Sequence, residues 1–129
     1  MIEAPLAPAP AVAPVARWTY VCRVNEIVAN TGVCAKVGSD QVAVFRVCTD
    51  EPGSVDQVYA LSNHDPKSGA NVLSRGLVGD LLNEPVVASP VYKQHYSLRD
   101  GRCLEDESLT IPSFPVLVHD GMILVKERS

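Results

Sequence analysis

A chain of 129 residues, 47% hydrophobic and 20% charged, has the balance of one globular domain, long enough to bury roughly two-thirds of its unfolded surface. Its formal net charge of −4 is the wrong sign for a nucleic-acid footprint. No apolar run reaches the roughly 18 residues of a membrane-spanning helix, and no secretory leader pattern opens the chain, so a cytoplasmic protein that contacts neither membrane nor nucleic acid is expected.

Residues 1–16 are mostly Ala and Pro. Pro5, Pro8, Pro10 and Pro14 remove backbone donors and favour extended conformations. The expectation is a disordered or polyproline-like tail, with a docking arm as the alternative, followed by one domain over 17–129.

From Arg17 the pattern changes. Trp18, Tyr20 and Cys22 alternate with Thr19, Val21 and Arg23, as a strand requires. One helical turn is expected within 25–30. Val33 to Val37 and Gln41 to Thr49 read as two strands joined by a Gly38-Ser39-Asp40 turn. Asp50-Glu51-Pro52-Gly53 is a turn by composition. Gln57 to Leu61 is a fourth strand. Residues 65–84 read as a long irregular stretch with one helical turn over 71–75. Pro85 to Ser89 is the next strand. Asp100-Gly101 signals a two-residue hairpin between Tyr96–Arg99 and Arg102–Glu105. His119-Asp120-Gly121 closes a last hairpin between Phe114–Val118 and Met122–Val125, with Val116, Val118, Ile123 and Val125 expected to face the core. Seven to nine short strands without a long helix give an all-β fold, a small sandwich or partly open barrel.

Cys22, Cys34, Cys48 and Cys103 include no C-x-x-C pair, which argues against zinc and dithiol redox sites. They are expected as free thiols buried like small apolar side chains, although spacing alone leaves a disulfide open.

Two loops carry the chemistry. The first is Ser62-Asn63-His64-Asp65-Pro66 and the second Ser89-Pro90-Val91-Tyr92-Lys93. Both resemble the ligand loops of a Rieske [2Fe–2S] centre, in which two Cys and two His hold the irons. Laid on that template, the thiolate positions are Ser62 and Ser89, and the histidine positions are His64 and Tyr92. A hydroxyl is a far poorer iron ligand than a thiolate, and a phenol with a reference pKa of about 10 stays protonated. The loops are kept and the metal ligands are not. Side-chain hydrogen bonds are expected to clamp the loops instead: Ser62 and Ser89 at the turns, Asn63 and Asp65 through Asx turns, and Tyr92 filling the space of the lost cluster. Tyr92→Ala would then cost a few kcal/mol, as large core truncations do.

The resemblance extends further. Tyr59 to Pro66, Ser68 to Gly76, Val78-Gly79-Asp80, Ala88 to Leu98 and Gly101 to Asp106 follow one another as they do in the small subunit of assimilatory NAD(P)H-dependent nitrite reductase, a Rieske-like protein. The resemblance runs from about Trp18 to Val125 and implies a fold of three small antiparallel sheets without a cluster. It also implies a partner: a large subunit that carries FAD, an iron–sulfur cluster and sirohaem and reduces nitrite to ammonium. No catalytic, cofactor-binding or metal-binding residue is expected in this chain. Asp65, Lys67, Arg75, Lys93 and His95 lie on or beside the tip where a Rieske protein meets its redox partners, and are either a contact surface or solvated loop charges. His95 also reads as a strand-edge residue.

Other chemistries fit less well. An electron-transfer ferredoxin lacks its ligands. Ser62, Ser89, His64 and Asp80 are residue types that hydrolases use, but no G-x-S-x-G elbow is present. His64 and His95 lack a third ligand for a mononuclear metal. A cluster-free β module serving another redox complex is the remaining alternative.

Overall fold

Four consecutive apolar residues, Val42-Ala43-Val44-Phe45, are all fully buried. Successive strand side chains point to opposite faces, so such a run requires a strand covered on both sides. The computed structural model, which describes residues 17–49 and 51–128, places this run in β3 (Asp40–Val47), the centre of the fold. β3 pairs antiparallel with β2 (Thr31–Val37) and β4 (Gln57–Ser62), and β4 with the short β8 (Ser113–Phe114). A second sheet has the order β1 (Trp18–Arg23), β10 (Met122–Lys126), β9 (Val116–His119). A third has the order β5 (Leu77–Leu81), β6 (Glu84–Ala88), β7 (His95–Ser97). The three antiparallel sheets form the expected all-β fold and do not close into a barrel.

The central sheet separates two cores. On one side Ala43, Phe45 and Leu61 meet Leu73, Val87, Tyr96, Leu98, Cys103 and Ile111. On the other side Val42, Val44, Ala60 and Phe114 meet Ile27, Ile123 and Val125. Phe45 alone contributes roughly 1.5–3 kcal/mol by burial. Its cross-strand neighbour is Gly32, where a Cβ would lie 2.6 Å from the Phe45 ring, so only glycine leaves room for it.

Several expectations hold at the level of local structure. The Gly38-Ser39 turn closes β2 onto β3 with Val37 opposite Asp40. A single 3₁₀ turn at Leu73–Arg75 falls within the expected 71–75, and another at Val24–Glu26 overlaps only the start of the expected 25–30. All four cysteines are free thiols.

Other features differ. The stretch over 65–84 is not wholly irregular: it contains β5, which returns into β6 through Leu82-Asn83, both with positive φ (53° and 63°). Such a turn favours Asn and Gly, and Leu82 hides the signal. Asp100-Gly101 does not make a two-residue hairpin. The Ser97 amide donates to the Arg102 carbonyl and the Gly101 amide to the Ser97 carbonyl, so the reversal spans 98–101. Beyond it, Arg102 and Cys103 form only isolated bridges, to Thr110 and Tyr96. Gly101 serves close packing: at φ +81° its Cβ would stand 1.8 Å from the Ile111 carbonyl oxygen. Val118 is 45% exposed, because only Val116, at the start of β9, packs against the second core. Of the cysteines, Cys103 alone is buried, Cys22 and Cys48 are half-buried and Cys34 is exposed. The Ala/Pro segment 1–16 and Asp50 lie outside the described residues.

Candidate functional site

The loops that follow β4 and β6, strands of different sheets, meet through the Ser89–Asp65 hydrogen bond and form one tip. The longer loop, 62–76, is organised by two buried polar residues. Asn63 is 3% exposed. Its side-chain amide donates to the Asn71 carbonyl at 3.1 Å, and its Oδ1 accepts from the Ser74 amide at 2.7 Å. Its backbone amide donates to the Gln41 carbonyl on β3. Asn63 thus ties the start of the loop to its far side and to the central sheet, rather than forming the expected Asx turn.

Asp65 is fully buried. Its Oδ1 accepts from the Lys67 amide at 2.9 Å, the expected Asx turn, and from the Tyr96 hydroxyl at 3.3 Å. Its Oδ2 accepts from the Ser89 hydroxyl at 2.5 Å. Ser89 is itself 1% exposed and opens the second loop. One carboxylate therefore joins the first loop, the second loop and β7. Burial alone would raise the Asp65 pKa, but the hydrogen bonds from Ser89, Lys67 and Ser68 outweigh it and hold the carboxyl below its ordinary value. Burial, and then the Asp65 charge, push the Tyr96 phenol up, which keeps it a donor.

The second loop is a tight turn. The Ser89 amide donates to the Gln94 carbonyl at 2.9 Å and the Lys93 amide to the Ser89 carbonyl at 3.0 Å, with Lys93 at φ 60°. This closure turns Pro90, Val91, Tyr92 and Lys93 outward. Tyr92 is 57% exposed, so it does not fill the space between the loops as expected. An aromatic side chain at the apex of a four-residue turn has no core to enter. The Lys67 ammonium lies 5.7 Å from its ring centroid, within cation–π range.

The remaining sequence candidates are dispersed. Ser62 accepts from the His64 amide through its hydroxyl at 3.3 Å. His64 is exposed, with Nδ1 3.2 Å from Asn71 Oδ1. Lys67, Arg75 and Lys93 are exposed, whereas Asp65 is not and has no surface to offer a partner. His95 is half-buried on β7 and pairs with Glu105, which accepts from its amide at 2.8 Å and contacts Nδ1 at 2.5 Å, so it is a satisfied strand-edge residue. Asp80 lines a cleft of about 440 Å³ near the β5–β6 turn, with Cys48, Tyr59 and Arg99, at the end of β5 away from the loops. Ser62, Ser89, His64 and Asp80 are thus not brought together as a hydrolytic set.

The donor chemistry does not suit a [2Fe–2S] cluster. The Ser89 hydroxyl is committed to Asp65, the Tyr92 ring lies outside, and His64 is the one good ligand type among the four template positions. Among the described residues no group of three or more His, Cys, Asp or Glu could hold a metal ion. The role of Tyr96 was not read from sequence. Its spacing marks it as a strand residue, and only the fold reveals that its hydroxyl reaches Asp65, 31 positions earlier.

The model of the Rieske-like [2Fe-2S] domain family matches residues 17–126. The small subunit of nitrite reductase (NADH) from Salmonella typhimurium is 43% identical over 110 residues, covering 85% of this chain and 97% of that protein. The solved structure of the E. coli protein NirD superposes with a TM-score of 0.76 at 40% identity, covering 89% of this chain and all of that one. A third relative differs in kind. The large subunit of nitrite reductase [NAD(P)H] from Klebsiella oxytoca is 44% identical over 108 residues, which is 84% of this chain but 11% of that one. There, a segment like this chain is part of the larger polypeptide.

Proposed function

This chain belongs to the Rieske-like [2Fe–2S] domain family, among the small subunits of NADH-dependent nitrite reductase, and from that premise we propose that it works by protein contact, without a cluster or catalytic residue of its own. Its partner is the nitrite reductase large subunit. The reduction of nitrite to ammonium in nitrate assimilation, with its flavin, iron–sulfur and sirohaem chemistry, takes place there. The pairing is proposed for the cytoplasm.

The observation that carries this function is the buried Asp65 carboxylate between the two loops, bonded to Ser89 and Tyr96. A Rieske centre joins its loops through metal ligands; here a hydrogen-bonded carboxylate joins them. What the loops then present is a fixed surface, with Lys67, Arg75 and Lys93 exposed on it or beside it. Polar residues on loops held by a rigid scaffold suit recognition.

Co-expression with the large subunit tests the pairing. A complex that survives purification in mild salt is expected, and large subunit recovered alone would count against it. The small subunit purified by itself should be colourless and inactive on nitrite.

A further inference from the structure

The apex of the second loop has the features of a binding anchor. Val91 and Tyr92 are 45% and 57% exposed, next to each other in one tight turn. The turn is closed by two backbone hydrogen bonds and held from below by Ser89 on Asp65. The Lys67 ammonium from the first loop lies over one face of the Tyr92 ring. Two exposed lysines belong to the same tip: Lys67 against the ring and Lys93 next in sequence. Interface hot spots are enriched in aromatic residues that enter a pocket on the partner, and a pre-ordered group loses little conformational entropy on binding.

We infer that Tyr92, with Val91 beside it, is the anchor by which this chain docks on the large subunit, entering an apolar pocket with an acidic rim that pairs with Lys67 and Lys93. This rests on the proposed pairing with that subunit. One observation favours the large subunit as occupant over a second copy of this chain. In the Klebsiella oxytoca large subunit, a segment 44% identical to this chain is joined to the rest of the enzyme in one polypeptide, so in a relative such a domain is tethered to that body.

The tip is not the sole exposed apolar surface. Tyr20 and Leu117 stand on either side of Leu124 across the β1–β10–β9 sheet, and both are exposed. That face has its own cation–aromatic pair, Lys126 over the exposed Trp18 ring at 6.0 Å, but its apolar side chains stand on strands rather than at the apex of a closed turn, and it serves as the comparison surface.

The experiment measures binding of the full-length chain to the purified large-subunit holoprotein by calorimetry, for wild type, Tyr92→Ala, Lys67→Glu and the control Leu117→Ser. Each variant's melting temperature is checked first. Tyr92→Ala should bind at least tenfold more weakly, about 1.4 kcal/mol, with its melting temperature unchanged. Lys67→Glu should weaken binding and flatten its salt dependence between about 50 and about 300 mM. Leu117→Ser should bind like wild type. Equal binding by wild type and Tyr92→Ala would overturn the anchor while leaving the pairing intact. Selective loss in Leu117→Ser would move the contact to the β1–β10–β9 face. Failure of the wild-type chain to bind would instead overturn the pairing itself. Self-association of the wild type that Tyr92→Ala abolishes would assign the anchor to a second copy.

Discussion

The Ser89 hydroxyl donates to the Asp65 carboxylate at 2.5 Å across 24 positions of sequence, and both residues are shielded from water. It is the side-chain link between the two tip loops that lies wholly inside the protein. A hydrogen bond to a buried charge is worth more than a neutral one, because losing the donor leaves the charge under-solvated. Ser89→Ala should therefore lower stability by about 1.5–3 kcal/mol, read as a shift in the urea midpoint without a change in slope. A shift below about 0.5 kcal/mol, the range of ordinary surface substitutions, would place the clamp elsewhere.

Tyr92→Ala should behave in the opposite way. At 57% exposure the ring leaves no core cavity behind, and its contact with Lys67 is a solvated cation–π pair worth about 0.5–1 kcal/mol. Thermal unfolding of the free chain should change little. A loss of several kcal/mol would show that the ring packs inward.

Asp65 sets a pH dependence with a definite sign. Its carboxyl is held below the ordinary value in the folded chain, so its contribution is fully present above the unfolded pKa of about 3.9 and is lost as pH falls through the folded one. The acid limb of the stability curve should steepen accordingly. In Asp65→Asn that part of the slope should vanish, while the partly exposed acids Glu84, Glu105 and Asp106, also held low, keep a smaller slope. Stability measured from about pH 6 down to about pH 2 checks this, and identical slopes in wild type and variant would remove Asp65 from the acid response.

Gly101→Ala is the severe substitution of the scaffold. The residue sits at φ +81° and a Cβ would meet the Ile111 carbonyl oxygen at 1.8 Å. Both the left-handed backbone and the clash oppose alanine, so a loss of more than about 2 kcal/mol is expected. Denaturant unfolding reads it directly. A near-neutral result would mean that the loop before Ile111 gives way easily.

The sequence was most legible where the pattern was local. Val37 to Asp40 carried its own turn, and the run Val42–Phe45 announced a strand. β5 was missed because Leu77 and Leu82 face solvent, so the apolar pattern did not separate two faces. Gly101 was misassigned because Asp-Gly signals a tight turn, whereas here the glycine answers to Ile111 across the loop. At the site, the loops and their unsuitable iron donors were visible as residue types. Which residue filled the interior was not: Tyr92 looked like the natural occupant, but the turn closed by Ser89 and Lys93 aims it outward, and Tyr96 from β7 takes the inner position. That choice depends on strand register and turn geometry, which residue identity does not encode. Asp65 was read both as an Asx-turn residue and as a tip contact; the turn to Lys67 is local, but the partners that bury it, Ser89 and Tyr96, come from distant parts of the chain.

Iron and acid-labile sulfide, quantified in the full chain after anaerobic purification from iron-replete cells and again after reconstitution, test the central claim most directly. Neither element above trace level and no visible absorption band are predicted, because Asp65 and Ser89 already satisfy each other where a thiolate would have to bind. Two irons and two sulfides per chain, with the visible spectrum of a bound cluster, would contradict it.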